Sequence, residues 1–238
     1  MGRTLVIPDI HHKTWVVDEI LTSESSDEVV FLGDYFDDFN DTPDDARRTA
    51  EWLRAHAGTP GFTFLYGNHD LPYCFPVPGL DCAGFSIDKW QEILQVLDEE
   101  NWKSFKLHAW VDGWLLSHAG WNRHFSGSNG QIDRSWIDKL CGECLHQLHD
   151  GKMHSLAAAG VSRGGWQSVG GITWQDWSEM APIPALRQIV GHTPGLAVRA
   201  KGDGDSITIC LDTHLCHYGC LENGDFTFKS TPLRSRHR

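Results

Sequence analysis

FLYGNHD, residues 64–70, runs from apolar residues into an amide, an imidazole and a carboxylate, with only Gly67 to separate them. The apolar part belongs to the third of three such runs. TLVIPDI (4–10) and DEVVFLGD (27–34) come before it, and GFTFLYG (61–67) is the third. Between them lie KTWVVDEIL (13–21), a short helix, and PDDARRTAEWLRAHA (43–57), a longer one. Strands alternating with helices indicate a parallel sheet covered by helices. The longer helix has a full start signal: Thr42 as N-cap, Pro43 in the first helical position and Asp45 in the first turn. Asp44 and Asp45 thereby have a structural explanation.

Downstream, LPYCFPVPGLDCAGF (71–85) reads as a loop and SIDKWQEILQVLDEEN (86–101) as one helix. FKLHAWVDGWLLSHAG (105–120) is two short apolar runs around Asp112-Gly113, a hairpin signal. A helix over 131–150 is followed by the Gly-rich, irregular AAAGVSRGGWQSVGGITWQDW (157–177). RQIVGHTP (187–194) supplies a further strand, and hairpins are expected at Gly202-Asp203-Gly204 and Asn223-Gly224. A parallel half is thus followed by an antiparallel half. With no linker, repeat or low-complexity stretch, one domain over 1–238 is expected.

The composition, 40% hydrophobic and 22% charged over 238 residues, is that of an ordinary globular chain. No apolar run approaches the roughly 20 residues that span a bilayer. MGRTLVIPDI reads as a first strand and not as a signal peptide, so a cytoplasmic protein without a membrane partner is expected. The seven cysteines are an odd number at low density, which favours free thiols. Cys141 and Cys144 form a CxxC, but both fall on a helical apolar stripe with Ile132, Trp136, Ile137, Leu140, Leu145 and Leu148, where Cys acts as a small hydrophobe. Cys210, Cys216, Cys220 and His217 are a weak zinc suggestion without a matching second pair. A formal charge of −12 opposes nucleic-acid backbones, and the closing RSRHR (234–238) reads as a frayed tail.

The unusual feature is what stands where strands end: Asp9-Ile10-His11, Gly33-Asp34, Gly67-Asn68-His69-Asp70, Ser117-His118-Ala119-Gly120 and Gly191-His192-Thr193. In α/β sheets, ligands bind just beyond the carboxyl ends of strands. Asp9 and His11, two apart, point the same way if the chain is extended there. Asp, His, Asp, Asn, His and His are a poor set for one structural zinc, which prefers thiolates and imidazoles. They suit two first-row divalent cations sharing a carboxylate. Two such cations can share a water, lower its pKa and clamp the entering and leaving oxygens of an in-line displacement.

The ordered series DIH (9–11), GD (33–34), GNHD (67–70), SHAG (117–120) and GHT (191–193) resembles the calcineurin-like metallophosphoesterases. SHAG and GHTP most resemble the branch of PPP-type serine/threonine phosphatases and symmetrical diadenosine-tetraphosphate hydrolases. The resemblance implies an α/β/β/α sandwich with two mixed sheets. It implies that Asp9 and His11 bind a first metal, that Asp34 bridges both, and that Asn68, His118 and His192 hold the second. It further implies that His69 donates a proton to the leaving group, oriented by Asp37. Asp70 is expected to tie the loop together. Mn²⁺ is the foremost metal, with Fe, Zn²⁺, Ni²⁺ or Co²⁺ as alternatives.

The chain also departs from that pattern. GDxxDRG reads GDYFDDF here, so Asp38 stands where an Arg would clamp the phosphate, and Phe39 follows it. His12 and His214 replace the usual glycines. Arg163 and Arg123 are the candidates to replace the clamp, and Trp121 and Trp166 the candidates to flank the pocket. The expected function is a metal-dependent phosphoesterase acting on a phosphomonoester, whether a phosphorylated small molecule, a nucleotide or a phosphoprotein. A dinucleoside polyphosphate hydrolase is the alternative. A catalytically silent metal-binding interaction domain is the reading from another class.

Overall fold

A computed structural model describes residues 2–127, 130 and 132–232, so the RSRHR tail and Gln131, the first residue of the helix expected over 131–150, lie outside the described residues. Two five-stranded mixed sheets form the protein. In the first, β1 (Arg3–Ile7), β2 (Glu28–Phe31) and β3 (Phe62–Phe64) run parallel, with α1 (Thr14–Ser23) and α2 (Pro43–His56) as crossovers. Its other side is completed from the far end of the chain by β9 (His217–Glu222) and β10 (Asp225–Ser230), each antiparallel to its neighbour. In the second sheet, β4 (His108–Val111) and β5 (Trp114–Ser117) are a hairpin, and β6 (Arg187–Val190) lies parallel to β5. Then β8 (Ser206–Cys210) lies parallel to β6, with β7 (Arg199–Asp203) antiparallel on the edge.

Alternation along the strands explains the layering. Val6, Val30 and Leu32 turn one way and meet Trp114, Leu116, Ile189, Ile209 and Leu211 in a layer between the sheets. Leu5, Ile7, Val29 and Phe31 turn the other way, onto Val16, Val17 and Ile20 of α1 and Ala46, Ala50 and Leu53 of α2. Both faces of the parallel strands are therefore buried, which is why they read as unbroken apolar runs. Across the sandwich, His108 and Trp110 of β4 reach Asp138 of α6 (Arg134–His149) at 2.7 and 2.8 Å. Helices thus cover the outer faces of both sheets. No helix among the described residues is long and apolar enough to cross a membrane.

Most turns follow their signals. Asp112 and Gly113, and Asn223 and Gly224, all take positive φ, as two-residue hairpin loops require. Thr42 and Asp45 form a reciprocal capping box at α2. Two readings are corrected. The loop over 71–85 opens with a short helix, α3 (Leu71–Cys74). The helix over 86–101 is two, α4 (Ile87–Leu94) and α5 (Glu99–Trp102), because Asp98 and Asn101 make a capping box that starts a new helix. Cys141 and Cys144 are buried in the core, as their stripe predicts.

Candidate metal centre

The strand ends of both sheets converge. Loops after β1, β2 and β3 bring Asp9, His11, Asp34 and Asn68, and loops after β5 and β6 bring His118 and His192. Ligand atoms of Asp9, His11 and Asp34 lie within 4.8 Å of one another, as do those of Asp34, His118 and His192. Asp34 is common to both groups.

The chain reaches this arrangement by bending, and here one expectation is corrected. Asp9 and His11 are not aligned by extended backbone. The strand stops at Ile7 and His11 sits at φ 43°. Backbone N–H groups of Ile10 and His11 both donate to the Asp34 carbonyl, at 3.0 and 2.9 Å, which curls the loop over β2. Asp34 is itself left-handed, with φ 53°. Its turn is held by Asp70, whose fully buried carboxylate accepts from the N–H of Asp34, Tyr35 and Gly67 at 2.8, 2.9 and 2.7 Å. Two glycines allow the close approach. A Cβ on Gly67 would lie 2.1 Å from Asp34 Oδ1, and one on Gly191 would lie 2.0 Å from Asp9 Oδ2.

The imidazoles are oriented by what their other nitrogens touch. His118 Nδ1 donates to the Leu32 carbonyl at 3.0 Å, so Nε2 carries the lone pair of the neutral ring. That lone pair meets Asn68 Oδ1 at 3.0 Å, His192 Nδ1 at 3.1 Å and Asp34 Oδ2 at 3.2 Å. His11 Nδ1 is turned in the same way onto the carbonyls of Phe36 and Asp37, leaving Nε2 toward Asp34 at 3.9 Å. Asp9 Oδ1 accepts from the His192 N–H at 2.9 Å, while Asp9 Oδ2 and His192 Nε2 are buried without a partner.

Such a set of facing acceptors repels itself unless positive charge stands among them, and the ionisation of the metal-free cluster reflects this. Burial lowers the pKa of His118, but Asp34 and Asp9 outweigh it and raise the pKa to about 9. Burial pushes the Asp34 carboxyl up, but His118, His69 and His11 more than offset this and hold it well below the usual range. Asp9 is raised by burial and by Asp212, and His192 is depressed by burial and by His118. A proton on His118 thus does the work that a cation would do. The donor chemistry and the orphaned buried atoms fit two divalent ions.

His69 stands apart from the two groups that share Asp34. Its N–H donates to Asp34 Oδ1 at 2.9 Å, and its ring Nδ1 lies 3.0 Å from Asp37 Oδ2. Burial lowers its pKa, but Asp34 and Asp37 win and raise it to about 12. Behind it, Asp37 Oδ1 accepts from Tyr73 Oη at 2.6 Å and Lys89 Nζ at 2.5 Å.

Of the two arginines, Arg163 docks beside the cluster. Its Nη2 donates to Thr193 Oγ1, next to His192, at 2.9 Å, and its Nε pairs with Asp176 at 2.8 Å. Arg123 is exposed in a 3-10 turn, and no hydrogen bond or ion pair joins it to these residues. Trp121 is buried, only 1% exposed, which corrects its reading as a pocket wall, whereas Trp166 is 77% exposed. Asp38 pairs with Lys13 at 3.4 Å. His12 bridges Thr49 and Asp41 at 2.8 and 2.9 Å. Cys216 is exposed, and the Cys210, Cys216, Cys220 and His217 set forms no metal group among the described residues. Sequence reading missed Asp212, Tyr73, Cys82 and Lys89. For Lys89 a signal existed: it stands four residues before Ile93 on the buried face of α4, where a lysine is out of place.

The sequence model of the family described as calcineurin-like phosphoesterase matches residues 2–168. No curated protein matches the sequence. A protein serine/threonine phosphatase from Saccharomyces cerevisiae has a similar structure, with a TM-score of 0.52 at 12% identity, over 98% of this chain and 81% of that one. A hypothetical protein from Pyrococcus horikoshii OT3 is similar at a TM-score of 0.53 and 9% identity, over 99% of this chain and 90% of that one. At such identities the likeness is one of fold.

Proposed function

Because the chain belongs to the calcineurin-like phosphoesterase family, we propose that the strand-end cluster is a two-metal centre that hydrolyses phosphomonoesters. One observation carries this reading: His118 Nε2 lies 3.0–3.2 Å from Asn68 Oδ1, His192 Nδ1 and Asp34 Oδ2, so that hard N and O atoms from separate strand ends crowd together. Asp9, His11 and Asp34 would hold one divalent ion, and Asp34, Asn68, His118 and His192 the other, with Mn²⁺ as the metal. Two such ions supply Lewis acidity, neutralising a phosphate ester and lowering the pKa of water.

The remaining chemistry belongs to the chain. Asp34 keeps its carboxylate ionised and aimed by accepting from the His69 N–H at 2.9 Å. His69 holds its Nδ1 proton toward Asp37 and offers Nε2 to the leaving oxygen, which takes a proton as its bond to phosphorus breaks. A placed acid of this kind contributes roughly 10²–10⁴-fold. Arg163, fixed by Asp176 and Thr193 beside His192, presents its guanidinium to the phosphate. Because His69 and Asp37 form an acid dyad outside the two groups that share Asp34, a purely structural metal site is disfavoured.

The test is hydrolysis of phenyl phosphate and of a dinucleoside tetraphosphate by chelator-stripped protein, with and without added Mn²⁺. Metal-dependent turnover of phenyl phosphate is expected. Turnover of the dinucleotide alone would replace the monoester reading, and no turnover of either with two metals bound would favour a silent metal-binding domain.

A further inference from the structure

Lys89 is a lysine inside the protein, with its side chain only 5% exposed. It descends from α4 with its ammonium between two carboxylates, 2.5 Å from Asp37 Oδ1 and 2.9 and 3.1 Å from the two oxygens of Asp41. Asp41 is also held by His12 Nε2 at 2.9 Å, and His12 by Thr49 at 2.8 Å. A continuous polar line therefore runs from Thr49 on α2 through His12, Asp41 and Lys89 to Asp37 and His69.

The two oxygens of Asp37 are divided by this line. Oδ1 is taken by Lys89 and Tyr73, leaving Oδ2 for the His69 ring at 3.0 Å. Asp37 is also left-handed, at φ 61°, and Gly84 packs against it so closely that a Cβ there would lie 2.9 Å from the Asp37 Cβ. A buried carboxylate in a strained backbone needs a nearby fixed charge to remain ionised and in one rotamer. Asp37, His69 and Cys82 also form a potential metal group, with the Cys82 thiol 3.3 Å from His69 Nδ1. Lys89 supplies a fixed cation to Asp37 in this cluster.

We propose that Lys89 is a positioning residue for proton donation: it pins Asp37 so that Asp37 in turn holds His69 with Nε2 toward the leaving group. It touches neither substrate nor metal ligand, and the inference rests on the reading of His69 as the acid. No family motif singled it out; the charge comes from a helix distant in sequence.

The distinguishing property of a positioning residue for an acid is dependence on the leaving group. Phenyl phosphate releases a basic phenolate that needs a proton, whereas p-nitrophenyl phosphate releases an anion that needs little help. Lys89→Met is expected to lower kcat on phenyl phosphate by about tenfold or more, a part of the roughly 10²–10⁴-fold that a placed acid contributes. KM and the count of bound metals should stay near wild type, and the loss should largely vanish on p-nitrophenyl phosphate. Lys89→Met/Asp41→Asn, which also removes the stranded charge of Asp41, should show the same selective loss and serves if the single variant does not fold. ¹⁵N NMR of the His69 ring should show a fixed Nδ1–H in the wild type and its loss in either variant. Equal losses on the two esters, or none, would overturn the assignment of Lys89. If His69→Ala itself loses no more on phenyl than on p-nitrophenyl phosphate, the acid role falls, and the inference with it.

Discussion

His118 shows how a single side chain is committed to one task. Its Nδ1 proton is held by the Leu32 carbonyl, so its other nitrogen faces three further acceptors. His69, whose backbone N–H touches Asp34 but whose ring turns to Asp37, is committed to another. Replacing each therefore has a different consequence. His69→Ala should retain two metals per chain while kcat on phenyl phosphate falls by about 10²–10⁴-fold. Metal analysis beside steady-state kinetics checks this, and unchanged turnover would remove His69 from the chemistry. The same residues explain what was legible. Asp9, His11, Asp34, Asn68, His118 and His192 stood out because hard donors at five strand ends are improbable by chance, and the chain brings all six together, Asn68 through His118. Tyr73 did not stand out, and the place of Lys89 on the apolar face of α4 signals burial but not its partner, because contact with Asp37 depends on how a helix docks, which no local spacing encodes.

At the scale of elements, the alternation of strands and helices was readable because apolar runs buried on both faces and a capped amphipathic helix leave strong local signals. The exchange that puts β9 beside β1 was not, since pairing across some 210 residues has no local signature. Nor was the bend after β1, where backbone hydrogen bonds to Asp34 override the extended geometry that spacing suggested. The β2 and β3 loops are joined through Asp70, and its three buried N–H donors make a prediction at this scale. Asp70→Ala strands all three and should destabilise the metal-free protein by about 3 kcal/mol. Asp70→Asn, which keeps an acceptor oxygen, should lose less. Urea unfolding with matched slopes checks the order, and equal stability of all three proteins would show that the loops are held by something else.

For the whole molecule, both sheets contribute candidate ligands, so a bound cation would link the two halves of the sandwich, and a chain of formal charge −12 would gain local positive charge for an anionic substrate. Proton and metal then compete. His118 is raised from the ordinary 6.5 to about 9 in the metal-free protein, and His69 is raised further. A group raised on folding stabilises fully below its unfolded pKa and loses that contribution as pH climbs through the folded one. The metal-free protein should therefore melt at lower temperature at pH 9 than at pH 6.5. With Mn²⁺ the slope should flatten or reverse, because ligands must shed protons to bind. Melting curves in chelator and in Mn²⁺ compare the two; identical pH dependence would mean that metal does not occupy the proton's place.

The most direct test of the two-metal centre is to titrate Mn²⁺ into chelator-stripped protein while following bound metal and phenyl phosphate turnover together, beside Asp34→Asn. The wild type should bind two ions per chain, with activity rising as the second site fills, and the variant should lose at least one ion and nearly all activity. Two ions and full turnover in Asp34→Asn, or no metal bound by the wild type, would contradict the shared-carboxylate centre.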